Sequence, residues 1–528
     1  MWEKGWREKI WSQLDTQWDL IIVGGGITGA GILREATRGG YKALLVEAND
    51  FASGTSSRSS KLVHGGFRYL KNMQVKVTLE SVTERELLLT QGKGLINRLG
   101  FLFACLEGDK TPGWVFGMGL VIYGLMARKW QYRHYDAEDM QLLCPPLTTP
   151  LLRGGYRYFD AQTDDARLTI RIIREAVNDG ATAINYVTAK DLLKDSHGKV
   201  CGVVVQDNLS NGSTRTAEVK ASVVINATGA WADGLRAKIG LAERMRPLRG
   251  SHLVFPNNRL PLMRAVSLIH PRDGRPVFAF PWEGVTVIGT TDVDVGRSLC
   301  SDPAISQAEA EYLLELVQFA FPESELDHKD ISATWSGIRP VINTGKVDPS
   351  KESREHVIWL EDGLLTVSGG KFTTFRLMAR DALRAARNLL PERHQFDRDM
   401  PVLDPIEVEV LLSESALKQK ETLRLVGRYG ADSLGILMNA RPEELEYIAN
   451  TPYLWSELRW AARSEGVVHL DDLLLRRVRL GLLLPNGAKE LLPRIRSIVQ
   501  SELKWDDQRW KKEVIEYNKL WNRAYKLN

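Results

Sequence analysis

Asp19-Leu-Ile-Ile-Val-Gly-Gly-Gly-Ile-Thr-Gly29 decides the reading of this chain. Its apolar residues Leu20 to Val23 form a short uninterrupted run, the pattern of a strand buried on both faces of a parallel sheet. The glycines Gly24, Gly26 and Gly29 end that strand. From Ile27 to Arg38 the apolar positions Ile27, Ala30, Ile32, Leu33 and Ala36 recur at helical spacing, and Gly39-Gly40 supplies a C-terminal stop. Ala43-Leu-Leu-Val-Glu47 is then a second buried strand that ends on a carboxylate. A lone G-x-G-x-x-G is weak, but one set between strand and helix, with an acidic residue closing the next strand, marks a dinucleotide-binding unit. Gly24 makes the tight turn, Gly26 lets backbone N–H groups approach a pyrophosphate at the helix start, and Gly29 lets helix and strand pack closely. Glu47 is the expected acceptor for ribose hydroxyls.

Moving outward, Thr55-Ser-Ser-Arg-Ser-Ser-Lys-Leu-Val-His-Gly-Gly-Phe-Arg-Tyr69 is a polar loop directly after the ribose strand. It suits the enclosure of a ribityl chain and an isoalloxazine ring, which points to FAD rather than NAD. Asn226-Ala-Thr-Gly-Ala-Trp231 closes another buried strand, and Ser368-Gly-Gly-Lys-Phe-Thr-Thr374 joins a strand to a helix. Backbone N–H groups at Gly369-Gly370 are placed to stabilise negative charge on a reduced flavin. Taken singly, each of these loops also reads as a plain turn.

The rest of the chain bounds the architecture. Its 528 residues, 44% hydrophobic, are enough for two or three domains. The near balance of 70 basic and 66 acidic residues gives no footprint for nucleic acid. Cys105, Cys144, Cys201 and Cys300 are widely spaced and read as reduced core thiols. The expected fold class is α/β and α+β: a Rossmann-type FAD-binding domain, a mixed-sheet substrate-binding domain and a helical C-terminal domain. The expected boundaries are a Trp-rich extension over 1–18, an FAD domain interleaved with the substrate domain over 19–404, and helices over 405–528. The substrate part falls mainly in about 70–150 and 245–355.

Two apolar segments are candidates for a lipid surface. In the first, Trp2, Trp6, Ile10, Trp11, Leu14 and Trp18 recur at roughly helical spacing. The second runs from Trp114 to Ala127 and is short for a membrane span, which needs about 20 residues. For both, packing against the protein's own body is the competing reading.

On these motifs the chain resembles the FAD-dependent, quinone-linked glycerol-3-phosphate dehydrogenases, within the D-amino acid oxidase and glycine oxidase superfamily. Further residues that carry the likeness are Thr163-Asp-Asp-Ala-Arg-Leu168, Arg249-Gly-Ser-His252, Ile288 to Asp292, Ser336-Gly-Ile-Arg-Pro340 and Glu465 to Arg477. The resemblance implies FAD contacts at Gly24, Gly26, Ile27, Thr28, Gly29, Glu47, Thr55, Ser56, Ser57, Ser60, Lys61, Leu62, His64, Gly65 and Gly66. It implies further contacts at Thr228, Gly229, Gly337, Gly370, Lys371, Phe372 and Thr373. It assigns substrate binding to Arg68, Tyr69, Arg339, Arg354 and Lys371, and catalytic roles to His64, His252, Arg339 and Lys371. The base is either His64 or His252, and each also reads as a structural histidine near the flavin.

The implied reaction oxidises sn-glycerol 3-phosphate to dihydroxyacetone phosphate by hydride transfer to flavin N5, with electrons passed to a membrane quinone. That places the protein in the cytoplasm, held peripherally on the cytoplasmic membrane, with homo-oligomerisation left open. A soluble glycerophosphate oxidase that reduces oxygen is the nearest alternative. An RNA-modifying or regulatory flavoprotein is a more distant one.

Overall fold

The computed structural model describes residues 2, 5–66, 75–109, 112–126, 132–209, 214–296, 299–346, 352, 355–392, 400–406 and 417–527. Arg68, Tyr69 and Arg354 lie outside the described residues.

The fingerprint strand, Trp18–Val23, lies at the centre of the first sheet. It pairs in parallel with Ala43–Val46 on one side and Thr216–Asn226 on the other. Parallel pairing continues outward to Thr182–Ile184 and to Leu364–Gly369. Because both faces are covered, Leu20, Ile21 and Ile22 are wholly buried, as a continuous apolar run requires. The helices Ile27–Arg38, Asp165–Asn178 and Phe375–Ala386 share one core against this sheet. The bounds of the fingerprint helix agree with those read from the sequence.

Among the described residues the second sheet has ten strands. One long antiparallel pair joins Met245–Pro256 to Ala333–Ile342, with Leu248 opposite Arg339 and His252 opposite Trp335. On the far side of the sheet, Asn97–Leu106 pairs with Leu152–Gln162. The strand Leu62–Val63, which carries the polar loop into the substrate half, is added at the edge of the same sheet. This strand couples the two halves of the molecule.

After residue 417 the described chain contains helices such as Gln419–Tyr429, Trp455–Ser464, Leu492–Leu503 and Asp507–Ala524. They share a core with the second sheet through Trp282, Trp335, Leu458 and Tyr517. Their seam with the nucleotide domain is ionic. Asp50 accepts from Arg476 at 2.5 Å and from Arg477 at 2.6 and 2.8 Å. Arg167 meets Glu465 through two bonds of 2.6 and 2.8 Å. Asp164 accepts from Arg428 at 2.7 Å, and Asp165 accepts from Arg479 at 3.1 Å. The Thr163 to Leu168 motif thus supplies acidic residues to the joint between domains.

One open reading is decided and one expectation is corrected. Trp2, Trp11, Leu14 and Trp18 turn inward and are buried. Trp2 stacks on Phe51 at 5.0 Å and donates its indole N–H to the Ala183 carbonyl at 3.1 Å. Indoles that fill the protein's own core cannot present a lipid-facing stripe. The cysteines are not all core thiols either: Cys144 is buried, Cys105 and Cys201 are half-buried, and Cys300 is exposed just beyond the short strand Val293–Asp294. Apolar character alone does not separate a core position from a loop that follows an edge strand.

Candidate active site

A cavity of about 1870 Å³ runs between the two sheets. It is larger than the roughly 300–1,000 Å³ of ordinary ligand pockets, as befits a site for a dinucleotide together with a substrate. Gly24, Gly26, Glu47, His64, Tyr186, Gly370 and Lys371 all line it.

At the nucleotide end the local folding is tight. The Glu47 carboxylate accepts from the Gly25 N–H at 2.6 Å and the Asn49 N–H at 2.8 Å. Desolvation pushes its carboxyl up from the usual range, and those backbone donors pull it back. Ser56 Oγ accepts the first helical N–H, that of Ile27, at 2.8 Å. A Cβ on Gly29 would lie 1.9 Å from the Gly24 carbonyl oxygen, so helix and turn can approach only with glycine there. This cradle at the start of a 12-residue helix fits a pyrophosphate. Gly24, Gly26, Ile27, Thr28, Glu47, Thr55, Ser56, Thr228 and Gly229 all line the cavity.

Ser60, Leu62, His64, Gly66, Gly337, Gly370, Lys371, Phe372 and Thr373 line the same cavity. Gly369 and Gly370 take φ of 75° and 71°, a left-handed pair that turns the strand end toward the helix Phe375–Ala386. Lys371 Nζ donates to Ser81 Oγ at 2.8 Å. Thr373 Oγ1 donates to the His64 carbonyl at 3.4 Å, tying this turn to the polar loop.

Arg339 reaches the cavity from the strand Ala333–Ile342 and keeps 24% of its side chain exposed. It donates to Asp292 at 2.7 Å, to Thr290 Oγ1 at 2.9 Å and to the Thr291 carbonyl at 3.1 Å, which fixes the direction of its guanidinium. His252 is buried, stacked on Trp335 at 4.9 Å, with its Nε2 2.8 Å from Ser60 Oγ. Burial, together with the positive charges of Lys61 and Arg339, holds this imidazole well below its ordinary value, so it is neutral at physiological pH.

Four of the expected cofactor residues do not line the cavity: Gly29, Ser57, Lys61 and Gly65. Gly29 and Ser57 act through packing and backbone, and the Gly65 N–H donates to Tyr123 Oη at 2.9 Å. Lys61 is fully buried behind the cavity, where Nζ donates to the Ser57 carbonyl and to both oxygens of Asp165, each at 2.9 Å. Burial pushes its ammonium down to about 7 against the pull of Asp165.

Sequence reasoning passed over the contribution of the C-terminal helices. His469, Asp471 and Arg476 line the cavity beside Tyr186, whose hydroxyl donates to Asp472 at 2.6 Å. The signal was present in the acidic and basic cluster Asp471-Asp472 and Arg476-Arg477, but it has no spacing specific to a ligand.

Comparison with known proteins gives the family. Residues 19–391 match the model of the FAD dependent oxidoreductases. The chain belongs to this family. Residues 400–510 of this FAD-dependent oxidoreductase match the C-terminal domain of alpha-glycerophosphate oxidase. Among curated relatives, the aerobic glycerol-3-phosphate dehydrogenase of Bacillus subtilis is 33% identical, over 95% of this chain and 94% of its own. Glycerol-3-phosphate dehydrogenase 2 of Mycobacterium bovis is 34% identical over 97% and 89%. Among solved structures, the glycerol-3-phosphate dehydrogenase of Bacillus halodurans complexed with FAD superposes with a TM-score of 0.80 and 28% identity, covering 99% of this chain and 98% of that one.

Proposed function

We propose that this FAD-dependent oxidoreductase converts sn-glycerol 3-phosphate to dihydroxyacetone phosphate and delivers the electrons to a membrane quinone. The observation that carries the reading is the meeting, in one cavity, of a nucleotide cradle with a fixed cation, Arg339, an ammonium, Lys371, and two imidazoles, His64 and His252. The names borne by the relatives supply the substrate.

The flavin, when bound, supplies a two-electron acceptor for the hydride leaving C2. The protein's part is to hold the dianion and take the hydroxyl proton. Arg339, oriented by Asp292, offers a planar guanidinium charge for phosphate. Lys371, anchored on Ser81, adds a second cation next to the glycine pair. Arg68, Tyr69 and Arg354 belong to this set by their motifs. His252 is our choice of base, since a neutral imidazole accepts a proton and Ser60 orients its ring.

The quinone acceptor calls for lipid contact. No helix among the described residues is long and apolar enough to cross a membrane. The helix Gly113–Met126 carries Trp114, Met118, Ile122 and Leu125 at 63%, 52%, 49% and 54% exposure, spaced four, four and three residues apart. That single exposed apolar stripe suits the headgroup region of the cytoplasmic membrane. Met118 and Ile122 also line the cavity, so the surface contact adjoins the reaction chamber.

Reoxidation tests the acceptor. Enzyme reduced anaerobically by glycerol phosphate is mixed with a short-chain quinone or with air, and flavin absorbance is followed. Recovery much faster with quinone is expected. Rapid recovery in air with hydrogen peroxide formation would instead make the protein an oxidase.

A further inference from the structure

The imidazole of His252 borders the cavity but is only 2% exposed. Trp335 stacks on it with the ring planes 20° apart. A Cβ on Gly289 would lie 2.3 Å from His252 Cδ2, so that edge of the ring packs on bare main chain. Nδ1 is buried out of contact with solvent. Nε2 is left, and it lies 2.8 Å from Ser60 Oγ. A neutral imidazole has one nitrogen that accepts a hydrogen bond. With Ser60 donating to Nε2, an alcohol in the cavity meets the serine hydroxyl before it meets the imidazole.

A serine can hand on a proton only if its backbone is fixed, and both neighbours of Ser60 are tied down. The Ser59 N–H and Oγ donate to Asp165 at 2.9 and 2.7 Å. The Ser59 carbonyl accepts from Trp335 Nε1 at 3.1 Å, the indole that also stacks on His252. On the other side, the Lys61 carbonyl accepts the Thr163 N–H at 2.8 Å, and the Lys61 ammonium is held by Asp165 and the Ser57 carbonyl. Arg479, from the C-terminal helical region, donates to that same Ser57 carbonyl at 2.7 Å and to Asp165 at 3.1 Å. Lys61, Asp165 and Arg479 are wholly buried. The Lys61 Nζ stands 4.6 Å from the centre of the Trp335 ring. Its charge adds to burial in keeping His252 in the neutral, proton-accepting form.

We infer that Ser60 is a further catalytic residue, which takes the C2 hydroxyl proton of the sugar phosphate while passing its own proton to His252 Nε2, and that Lys61, Asp165 and Arg479 position it for that exchange. The inference rests on the reading of His252 as the base. In the step, the substrate O–H bond breaks and a new O–H bond forms on Ser60. The original Ser60 O–H bond breaks and an N–H bond forms on His252. The hydride leaves C2 for the flavin with its electron pair, C2–O becomes a carbonyl, and the serine ends unchanged. Through Arg479 the C-terminal region supports chemistry that this residue does not touch.

The test uses the FAD-loaded enzyme with Ser60→Ala, Lys61→Met and the double variant. Lys61→Met leaves Asp165 paired with Arg479. Anaerobic stopped-flow measurements follow flavin reduction by sn-glycerol 3-phosphate in mixtures of light and heavy water. In the unaltered enzyme the rate should fall along a bowed curve as deuterium increases, the mark of two protons in motion. Ser60→Ala should slow reduction about 100-fold and straighten the curve. FAD content and binding of dihydroxyacetone phosphate, read from the flavin spectrum, should stay within about twofold. Lys61→Met should slow reduction about tenfold, with no further loss when added to Ser60→Ala.

A Ser60→Ala enzyme that reduces its flavin within about twofold of the normal rate would overturn the relay. A straight curve in the unaltered enzyme would also overturn it. Fully additive losses in the double variant would overturn the positioning role of Lys61. His252→Gln separates the relay from the base on which it depends: slow reduction there beside normal reduction in Ser60→Ala overturns the relay alone, whereas normal reduction in His252→Gln overturns both.

Discussion

Two regions of this molecule are rich in arginine, and they use it in opposite ways. At the seam between the nucleotide domain and the C-terminal helices, Arg167, Arg428, Arg477 and Arg479 are almost wholly buried, and each meets a carboxylate. In the cavity, Arg339 keeps 24% of its side chain exposed and is steered by Asp292 along the wall. A buried pair matters for stability mainly when one member is removed, because the survivor is then left charged and unsolvated. A half-exposed, oriented cation can exchange partners with an anionic ligand at modest cost. Residue type and local charge density do not distinguish these two uses; burial and orientation do.

The comparison is most easily broken at Asp50. Asp50→Asn should destabilise the protein by about 3–5 kcal/mol, since Arg476 and Arg477 lose a shared buried carboxylate. Denaturant unfolding measures the loss, and turnover per bound flavin should be retained. The pH dependence points the same way. These arginines hold the Asp50 carboxyl down at about 2, so its contribution is complete above the unfolded value of about 3.9 and is lost only as pH falls through about 2.

Arg339→Ala should do the reverse. We expect kcat/KM for glycerol phosphate to fall about 100-fold, roughly 2.7 kcal/mol, with thermal unfolding nearly unchanged. A large loss of stability would move Arg339 into the same class as the seam.

Leu125→Asp places a charge in the exposed stripe of Gly113–Met126, away from the cavity lining, and should weaken liposome binding about tenfold, with anaerobic flavin reduction intact. Unaltered liposome binding would remove this helix from the membrane contact.

The smallest expected effect is a displacement of the pH profile. Because burial and neighbouring positive charge disfavour the His252 imidazolium, the acid limb of kcat/KM should lie below the ordinary imidazole value of about 6.5. A limb at about 6.5 would count against His252 as the base.

Much of the fold was legible because its signals are local. The run Leu20 to Val23, the three glycines and the helical spacing to Ala36 depend on neighbours within a few residues. The polar loop after Glu47 and the Gly369-Gly370 pair were legible for the same reason. The N-terminal tryptophans were not, since a helical stripe of indoles looks alike whether it faces lipid or, as with Trp2 on Phe51, its own core. The partners of Asp164 and Asp165, hundreds of residues away in sequence, were equally out of reach. Lys61 shows the limit most clearly: it sits in a loop whose neighbours line the cavity, yet a left-handed backbone at φ 58° accompanies a side chain that turns back to Asp165.

The central claim is that one cavity joins a flavin to a glycerol phosphate. The direct test is an anaerobic titration of the FAD-loaded protein with sn-glycerol 3-phosphate, followed by flavin absorbance, with sn-glycerol 1-phosphate as the control. The account predicts full bleaching with the first compound and none with the second. A folded, flavin-loaded protein that sn-glycerol 3-phosphate fails to bleach would contradict it.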